Sequence, residues 1–513
     1  MSENSDAFEA VIGLEVHSQL LTKTKMFCPC PNVFGMEPNS AVCPVCLALP
    51  GALPVINFEG VRLAVRAAAA LNLKINERSL FARKNYFYPD LPKGYQISQY
   101  LDPVSSDGYL SVKTGGGEKK IRINRLHIEE DAGKLIHIGS RSYVDLNRAG
   151  TPLVEIVSEP DISSASEAAA YLKALREILV YLGVSDGNME EGSFRCDANV
   201  SVRRKGDLKL GTRAEVKNVN SFKFVEKAIE YEIERQIDVV LNGGKVIQET
   251  RLYDSKENLT RSMRGKEEAH DYRYFEEPDL PPLILSEAFI SEIRNSAAEL
   301  PEAKRRRYVS GYKLAEYDAE VLTQDKGIAH YFEDLIIENG GRVEIKKIAN
   351  WVINDLLFGL KSIANASKPA GEEEERKGES AGPKAASDFA PPSGTKFTGV
   401  PARNFLELIL EVETGNINKN TGNAVLLEML KNPHKKAAEI VKEKNLGQVS
   451  DDAGIEDIIK QALDENQKEL SDLLAGKDKL FGFFVGEAMK KTKGRANPKK
   501  VNEILKKLLD EKK

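Results

Sequence analysis

No stretch of this 513-residue chain approaches the roughly 18 apolar residues that a membrane-spanning helix needs, so none of it is expected to cross a bilayer. The opening MSENSDAFEA is acidic and poor in apolar side chains, which excludes an ordinary secretory or transit leader. Cysteine is scarce, at five, and without a leader the expected setting is the cytoplasm, where thiols stay reduced. Excess positive charge is lacking too. A net charge of −5 excludes a basic coat over the whole surface but leaves local basic patches open. The common nucleotide motifs are absent: there is no G-x-G-x-x-G after a strand and no G-x-S-x-G elbow. The GGGEKK at 115–120 and the NGGK at 242–245 lack the spacing of a phosphate loop and read as hairpin turns.

What the chain has instead is acidic residues on strands that alternate with apolar ones. In VIGLEVHSQL, Glu15, His17 and Gln19 alternate with Leu14, Val16 and Ser18. In FRCDANVSVR, Arg195, Asp197, Asn199, Ser201 and Arg203 alternate with Cys196, Ala198, Val200 and Val202. Between them RLHIEEDAGK carries Glu129, Glu130 and Asp131, and TPLVEIVSEP carries Glu155. Successive strand residues point to opposite faces, so these segments build a sheet with a packed face and a charged one. Carboxylates gathered with a histidine and arginines repel one another unless cations sit among them. Mg²⁺ with a phosphate substrate is the expected occupant.

Length suggests about three or four domains. Residues 1–285 hold short alternating runs with a few helices, such as GVRLAVRAAAALNL and SEAAAYLKALREILVYLG, the second entered through Ser163–Ser166 and stopped at Gly183. That mixture predicts α+β with an antiparallel sheet. Residues 286–365 read as helical by periodicity. Residues 366–396 are Pro, Gly, Ala and Glu with one aromatic and read as a flexible linker. Residues 397–513 read as a separate all-α tail, whose last 24 residues hold ten Lys/Arg against three Asp/Glu. A basic patch for an anionic partner and a solvated basic helix are both open there.

Cys28, Cys30, Cys43 and Cys46 form C-x-C-x12-C-x2-C, two close pairs across a turn-like loop, which suits tetrahedral zinc; four unrelated thiols are the alternative. Four protein ligands close the coordination sphere, so the zinc would be structural. Cys196 falls on the apolar side of its strand and is expected in the core. ARKNYFYPDLPKGYQISQY (82–100) interleaves Arg83 and Lys84 with aromatics, as a phosphate or base contact would, or as a Pro-rich loop anchored by its rings would. His127, His137 and His270 receive no catalytic role.

At these residues the chain resembles the B-subunit family of the tRNA-dependent amidotransferases. The likeness runs over nearly the whole length, through VIGLEVHSQL, CPVCLALPGALPVIN, RKNYFYPDLPKGYQISQY, HIEEDAGK, NRAGTPLVEIVSEPDI, RCDANVSVR, EVKNVNSF, EEAHDYRYF and GRANP. It implies a cradle domain related in fold to glutamine synthetase, a helical domain and a mobile tRNA-binding tail. It also implies an activity: ATP phosphorylates the side-chain carboxylate of Glu or Asp on tRNA(Gln) or tRNA(Asn), and ammonia then gives the amide. By the same resemblance Glu15, His17, Glu130, Glu155 and Asp197 are the Mg²⁺-binding, phosphoryl-transfer residues, and Lys84, with Arg83 beside it, contacts phosphate. No Cys–His glutaminase pair or serine-amidase motif is found, so ammonia is expected from an amidase partner in a heterotrimer that a small stabilising polypeptide completes. The mischarging synthetase is a further expected partner. Gly265, Glu276 and the long linker depart from the family pattern without touching the proposed ligands. A free-standing small-molecule ligase would need neither tail nor linker, and a non-catalytic scaffold would have no use for the clustered carboxylates.

Overall fold

The computed structural model describes residues 7–265, 272–296, 298–366, 399–444, 446, 452–474, 477, 479–492, 496 and 498–511. They fall into two compact units, Met1–Leu300 and Pro301–Lys513. From residue 367 onward the expected linker lies outside the described residues, as do His270 and part of GRANP.

The first unit is α+β, as its alternating runs predict. The strands of its largest sheet are, in chain order, β1 (Phe8–Gln19), β2 (Lys74–Ile75), β3 (Ser105–Thr114), β4 (Gly117–Glu130), β5 (Pro152–Ser158), β6 (Phe194–Arg204), β7 (Ala214–Val219), β8 (Glu249–Asp254) and β9 (Leu259–Gly265). They form one sheet in the order β9-β8-β7-β6-β1-β5-β4-β3-β2. Helices α1 (Phe58–Ala70), α2 (Ala165–Tyr181) and α3 (Phe222–Leu241) share its core. Each starts where a short polar side chain can cap it. Asn57 accepts from the Glu59 and Gly60 amides, Ser164 from Glu167, and Ser221 from Phe224. At the end of α2, Gly183 takes a φ of 65°, which stops the helix where the sequence places its stop.

Sheet neighbours are antiparallel except β7 and β8, which run parallel. Parallel neighbours need a crossover, and α3 supplies it. NGGK therefore corrects the hairpin expectation: Asn242 caps α3 and Gly243 has a φ of 75°, so the segment is a helix stop. GGGEKK does form a hairpin, in which Thr114 pairs with Gly117 between β3 and β4.

Alternation puts Leu14, Val16, Leu126, Ile128, Val154, Ile156, Cys196 and Ala198 in one buried cluster with the helices. Fully burying such a Leu, Ile or Val stabilises by about 1.5–3 kcal/mol, so this face anchors the register of every strand. A one-residue slip would place carboxylates in that core. Helix Glu287–Asn295, read from the sequence as the start of the helical segment, buries Ile290 and Ile293 in this same cluster.

In the second unit, Pro301–Tyr312, Glu316–Thr323, Lys326–Asn339 and Ile345–Asn350 are helical, and a π-helical turn, Trp351–Leu356, leads into Leu357–Ala366. Their core also takes in Val400, Phe405, Leu406, Ile409, Val425, Met429 and Ile440. The Tyr331 hydroxyl donates to the Val400 carbonyl at 3.0 Å, and Phe405 packs edge-on against Trp351 with ring centroids 6.1 Å apart. The core thus takes in residues from both sides of 367–398, and helices Ala402–Glu413, Lys419–Lys431 and Ala437–Glu443 share it. A second cluster, from Ile455 to Leu509, is separate. An amphipathic pattern says that a helix buries a face, not whose core that face enters. Because the chain has a single tryptophan, its fluorescence reports the first of these cores. Phe405→Ala is expected to cost about 3–5 kcal/mol there, moving the Trp351 urea transition to lower denaturant; an unmoved transition would contradict the shared core.

Candidate active site

The face of the sheet opposite the helices carries the charged residues. Register sets Glu15 opposite Asp197, His17 opposite both Arg195 and Glu155, and Glu155 opposite His127. Side chains of directly opposite residues share a face, so β6, β1, β5 and β4 deliver their polar groups side by side. Two overlapping sets of candidate cation ligands result, Glu15–His17–Asp197 and His17–Glu129–Glu155, each with ligand atoms within 4.8 Å of one another. His17 Nε2 lies 3.3 Å from Glu155 and 3.5 Å from Glu129. From the adjacent strand, the buried His127 Nε2 approaches the same carboxylates at 3.4 and 3.7 Å.

Glu15, His17, Glu155 and Asp197 thus come together as expected, but Glu130 does not join them. Its carboxylate accepts from the Ile97 amide at 3.0 Å and pairs with Lys93. Glu129, read from the sequence as a neighbour of the site, takes its place. The reason is parity: His127, Glu129 and Asp131 point to one side of β4 and Glu130 to the other. Strict alternation would have found this. Asp131 is held by Arg195 at 2.7 Å and by Gln19 at 2.9 Å, which keeps Arg195 at the rim of the face. Lys217, from EVKNVNSF, pairs with Asp197 and sits 3.5 Å from Glu215. Neither His127 nor Lys217 was assigned a role from sequence, since only register across strands shows which face they join.

Lys84 reaches the site and Arg83 does not. They are successive residues of the strand Ala82–Asn85 and point oppositely. The Arg83 guanidinium makes two 2.8 Å bonds to buried Glu277 and one of 3.1 Å to Asp279. It is a staple between strand and loop, held by these carboxylates and not set among those of the candidate site. The Lys84 ammonium lies 4.9 Å from the centre of the Tyr272 ring. Burial alone would lower its pKa, but Glu129, the nearby tyrosines and Glu155 raise it, so it stays charged.

Burial and neighbouring charge shift the ionisation of several groups on this face. Burial and repulsion from Glu155 push the Glu15 carboxyl up to about 7, against the pull of His17. Burial would lower His17, but its contact with Glu155 and the charge of Glu129 raise it to about 9. Burial would likewise raise Glu155, yet His127 and His17 hold it well below the usual range. Near neutral pH His17, and in part Glu15, therefore hold protons.

The four cysteines also gather, with their sulfurs within 4.8 Å of one another. A hydrogen bond from Cys28 pulls the Cys46 thiol down to about 4, while burial pushes Cys30 up to about 11. The loop is tied to the strand-end segment at 145–147: Asn147 donates to the Glu37 carbonyl at 2.7 Å and accepts from the Ala41 amide at 2.8 Å.

With this geometry in view, residues 10–291 match the family model described as the GatB/GatE catalytic domain, and residues 391–509 match the GatB domain. The chain belongs to the GatB/GatE family. It is 51% identical over 505 residues to the B subunit of the aspartyl/glutamyl-tRNA(Asn/Gln) amidotransferase from Thermodesulfovibrio yellowstonii, covering 98% of this chain and 100% of that protein. It is 52% identical over 509 residues to the protein of that name from Geotalea daltonii, covering 98% and 99%. For the Persephonella marina protein of the same name the figures are 51% over 504 residues, 98% and 99%. Among the described residues, no helix is long and apolar enough to cross a membrane.

Cation binding on this face must displace the protons of His17 and Glu15, whose pKa values are raised. Affinity for Mn²⁺ or Mg²⁺ should therefore rise from pH 6 to pH 9, with net proton release seen by calorimetry in buffers of different ionisation enthalpy. A pH-independent affinity would show that these groups are not ligands.

Proposed function

We propose that this chain is the transamidating component of a glutamine- and ATP-dependent amidotransferase that converts Glu-tRNA(Gln) to Gln-tRNA(Gln), or Asp-tRNA(Asn) to Asn-tRNA(Asn). The observation that carries the reading is the paired cation-ligating sets on one sheet face with Lys84 set among their carboxylates. The relatives' names supply the tRNA-borne substrate. Two divalent cations bound here would neutralise the phosphates of ATP. The donor set fits them: oxygen-rich, with a single imidazole shared between the two groups.

In the proposed reaction the side-chain carboxylate oxygen attacks the γ-phosphorus and ADP departs, leaving an acyl phosphate on the tRNA. Ammonia then attacks the acyl carbon and inorganic phosphate leaves with its bonding pair. Glu15, His17, Glu129, Glu155 and Asp197 hold the cations in this scheme, and Lys84 faces the transferred phosphoryl group. His127 supports Glu129 and Glu155, while Arg195 and Lys217 spread positive charge along the rim.

Ammonia comes from an amidase partner, with a small stabilising polypeptide completing the heterotrimer; the expected compartment is the cytoplasm, where aminoacyl-tRNA is made. The first unit acts as a cradle of glutamine-synthetase type, and the basic C-terminal helices grip the outer body of the tRNA. Zinc on Cys28, Cys30, Cys43 and Cys46 is structural in this reading, since four thiolates leave no open position.

The test is the chain with its amidase partner, ATP, Mg²⁺, glutamine and Glu-tRNA(Gln). Absence of tRNA-dependent ATP cleavage would overturn the reading. Glu15→Ala or Asp197→Ala should lower amidation at least about 100-fold, while glutamine hydrolysis by the partner and the melting temperature persist. Separately, Cys43→Ser should lose the stoichiometric zinc found by metal analysis of the wild type; unchanged zinc would reject that site.

A further inference from the structure

Lys25 has no solvent exposure. Its ammonium donates to two neutral acceptors, the carbonyls of Ala41 at 2.8 Å and Leu146 at 3.2 Å. A buried charge held by neutral groups alone is costly, so a counter-charge is needed nearby. Among the described residues no carboxylate forms an ion pair with it. Glu130 lies across Gly150 from the Lys25 stem but is neutralised by Lys93.

The negative charge lies on the other side. The Lys25 amide donates to the Cys30 carbonyl at 2.9 Å, and Ala41, which holds its ammonium, precedes Cys43 by two residues. The ammonium therefore contacts the loop that carries all four cysteines, between its two cysteine pairs in sequence. Its charge also favours the Cys46 thiolate. Four thiolates around a divalent cation carry a net charge of about −2, little of it exposed to water, since Cys28, Cys30 and Cys46 are buried. A single ammonium beside them halves that excess.

We propose that Lys25 is the built-in counter-cation of the Cys28–Cys30–Cys43–Cys46 metal site, stabilising the metal-bound tetrathiolate and tying it to the strand-end segment at Leu146. This rests on reading the cysteines as a zinc site. Lysine suits the position because a long apolar stem can cross the core and deliver a compact charge to two carbonyls.

The experiment titrates full-length chain with Zn²⁺ against a chromophoric chelator and with Co²⁺ by its thiolate charge-transfer absorption, for wild type, K25M, N147A, C43H and K25M/C43H. K25M keeps the bulk and removes the charge, and should weaken metal binding about 10–100-fold, the usual effect of losing an outer-shell partner. N147A unties the same loop without changing charge and should weaken it far less. C43H replaces a thiolate by a neutral imidazole and halves the net charge of the site. Coulombic energy is linear in charge, so the K25M loss should be about halved, on a logarithmic scale, in that background.

Wild-type affinity in K25M, an equal loss in N147A, or the same K25M factor with and without C43H would each overturn the proposal. If K25M alone fails to fold, metal-dependent folding of K25M/C43H supports it and failure of that variant overturns it. Wild type that binds no stoichiometric metal removes the zinc reading itself, a result distinct from normal binding by K25M.

Discussion

Like-charge repulsion on one sheet face is the constraint on which the rest of this structure depends. Glu15, Asp197, Glu129 and Glu155 cannot stay ionised side by side in a half-buried setting unless positive charge is distributed among them. The fold distributes it. Lys217 takes Asp197, the two histidines bracket Glu155 and Glu129, and Lys84 enters from a separate small sheet. What remains unbalanced is the proton load on Glu15 and His17. In the proposed scheme a bound cation relieves that residual mismatch by taking the place of those protons.

Three consecutive acidic residues show how backbone geometry turns similar chemistry into different jobs. Glu129 points into the charged face, and Glu130 turns away to the Ile97 amide and Lys93. Asp131, back on the first side but beyond the strand end, fixes Arg195 and Gln19. Burial would push the Asp131 carboxyl up, yet Arg195 and Arg148 hold it below its ordinary range, so it remains an anion that locks an arginine. Arg83 and Lys84 repeat the lesson on a strand of the small sheet, where one is a staple and the other faces the carboxylates.

The cysteine loop bears on the same face through its packing. Asn147 and Lys25 tie it to the segment at 145–147, and the next residue, Arg148, donates to the Ala132 and Gly133 carbonyls at 2.9 and 2.6 Å, just past Asp131. A metal-organised loop would stiffen a turn that leads directly into the rim of the charged face.

The sequence by itself determined the class of the first unit, the two faces of its sheet, most of the carboxylates that meet on the charged face and the grouping of the four cysteines. Alternation with period two and short-range spacing are local properties, legible without a fold. The resemblance carried the substrate, which no local pattern encodes. Only tertiary structure aimed Arg83 at Glu277 and Asp279, set His127 and Lys217 beside the carboxylates, turned NGGK into a helix stop and put Phe405 in one core with Trp351. Each of these depends on pairing or packing between segments distant in the chain, and a single sequence records what each residue can contact, not which partner the register sets opposite it.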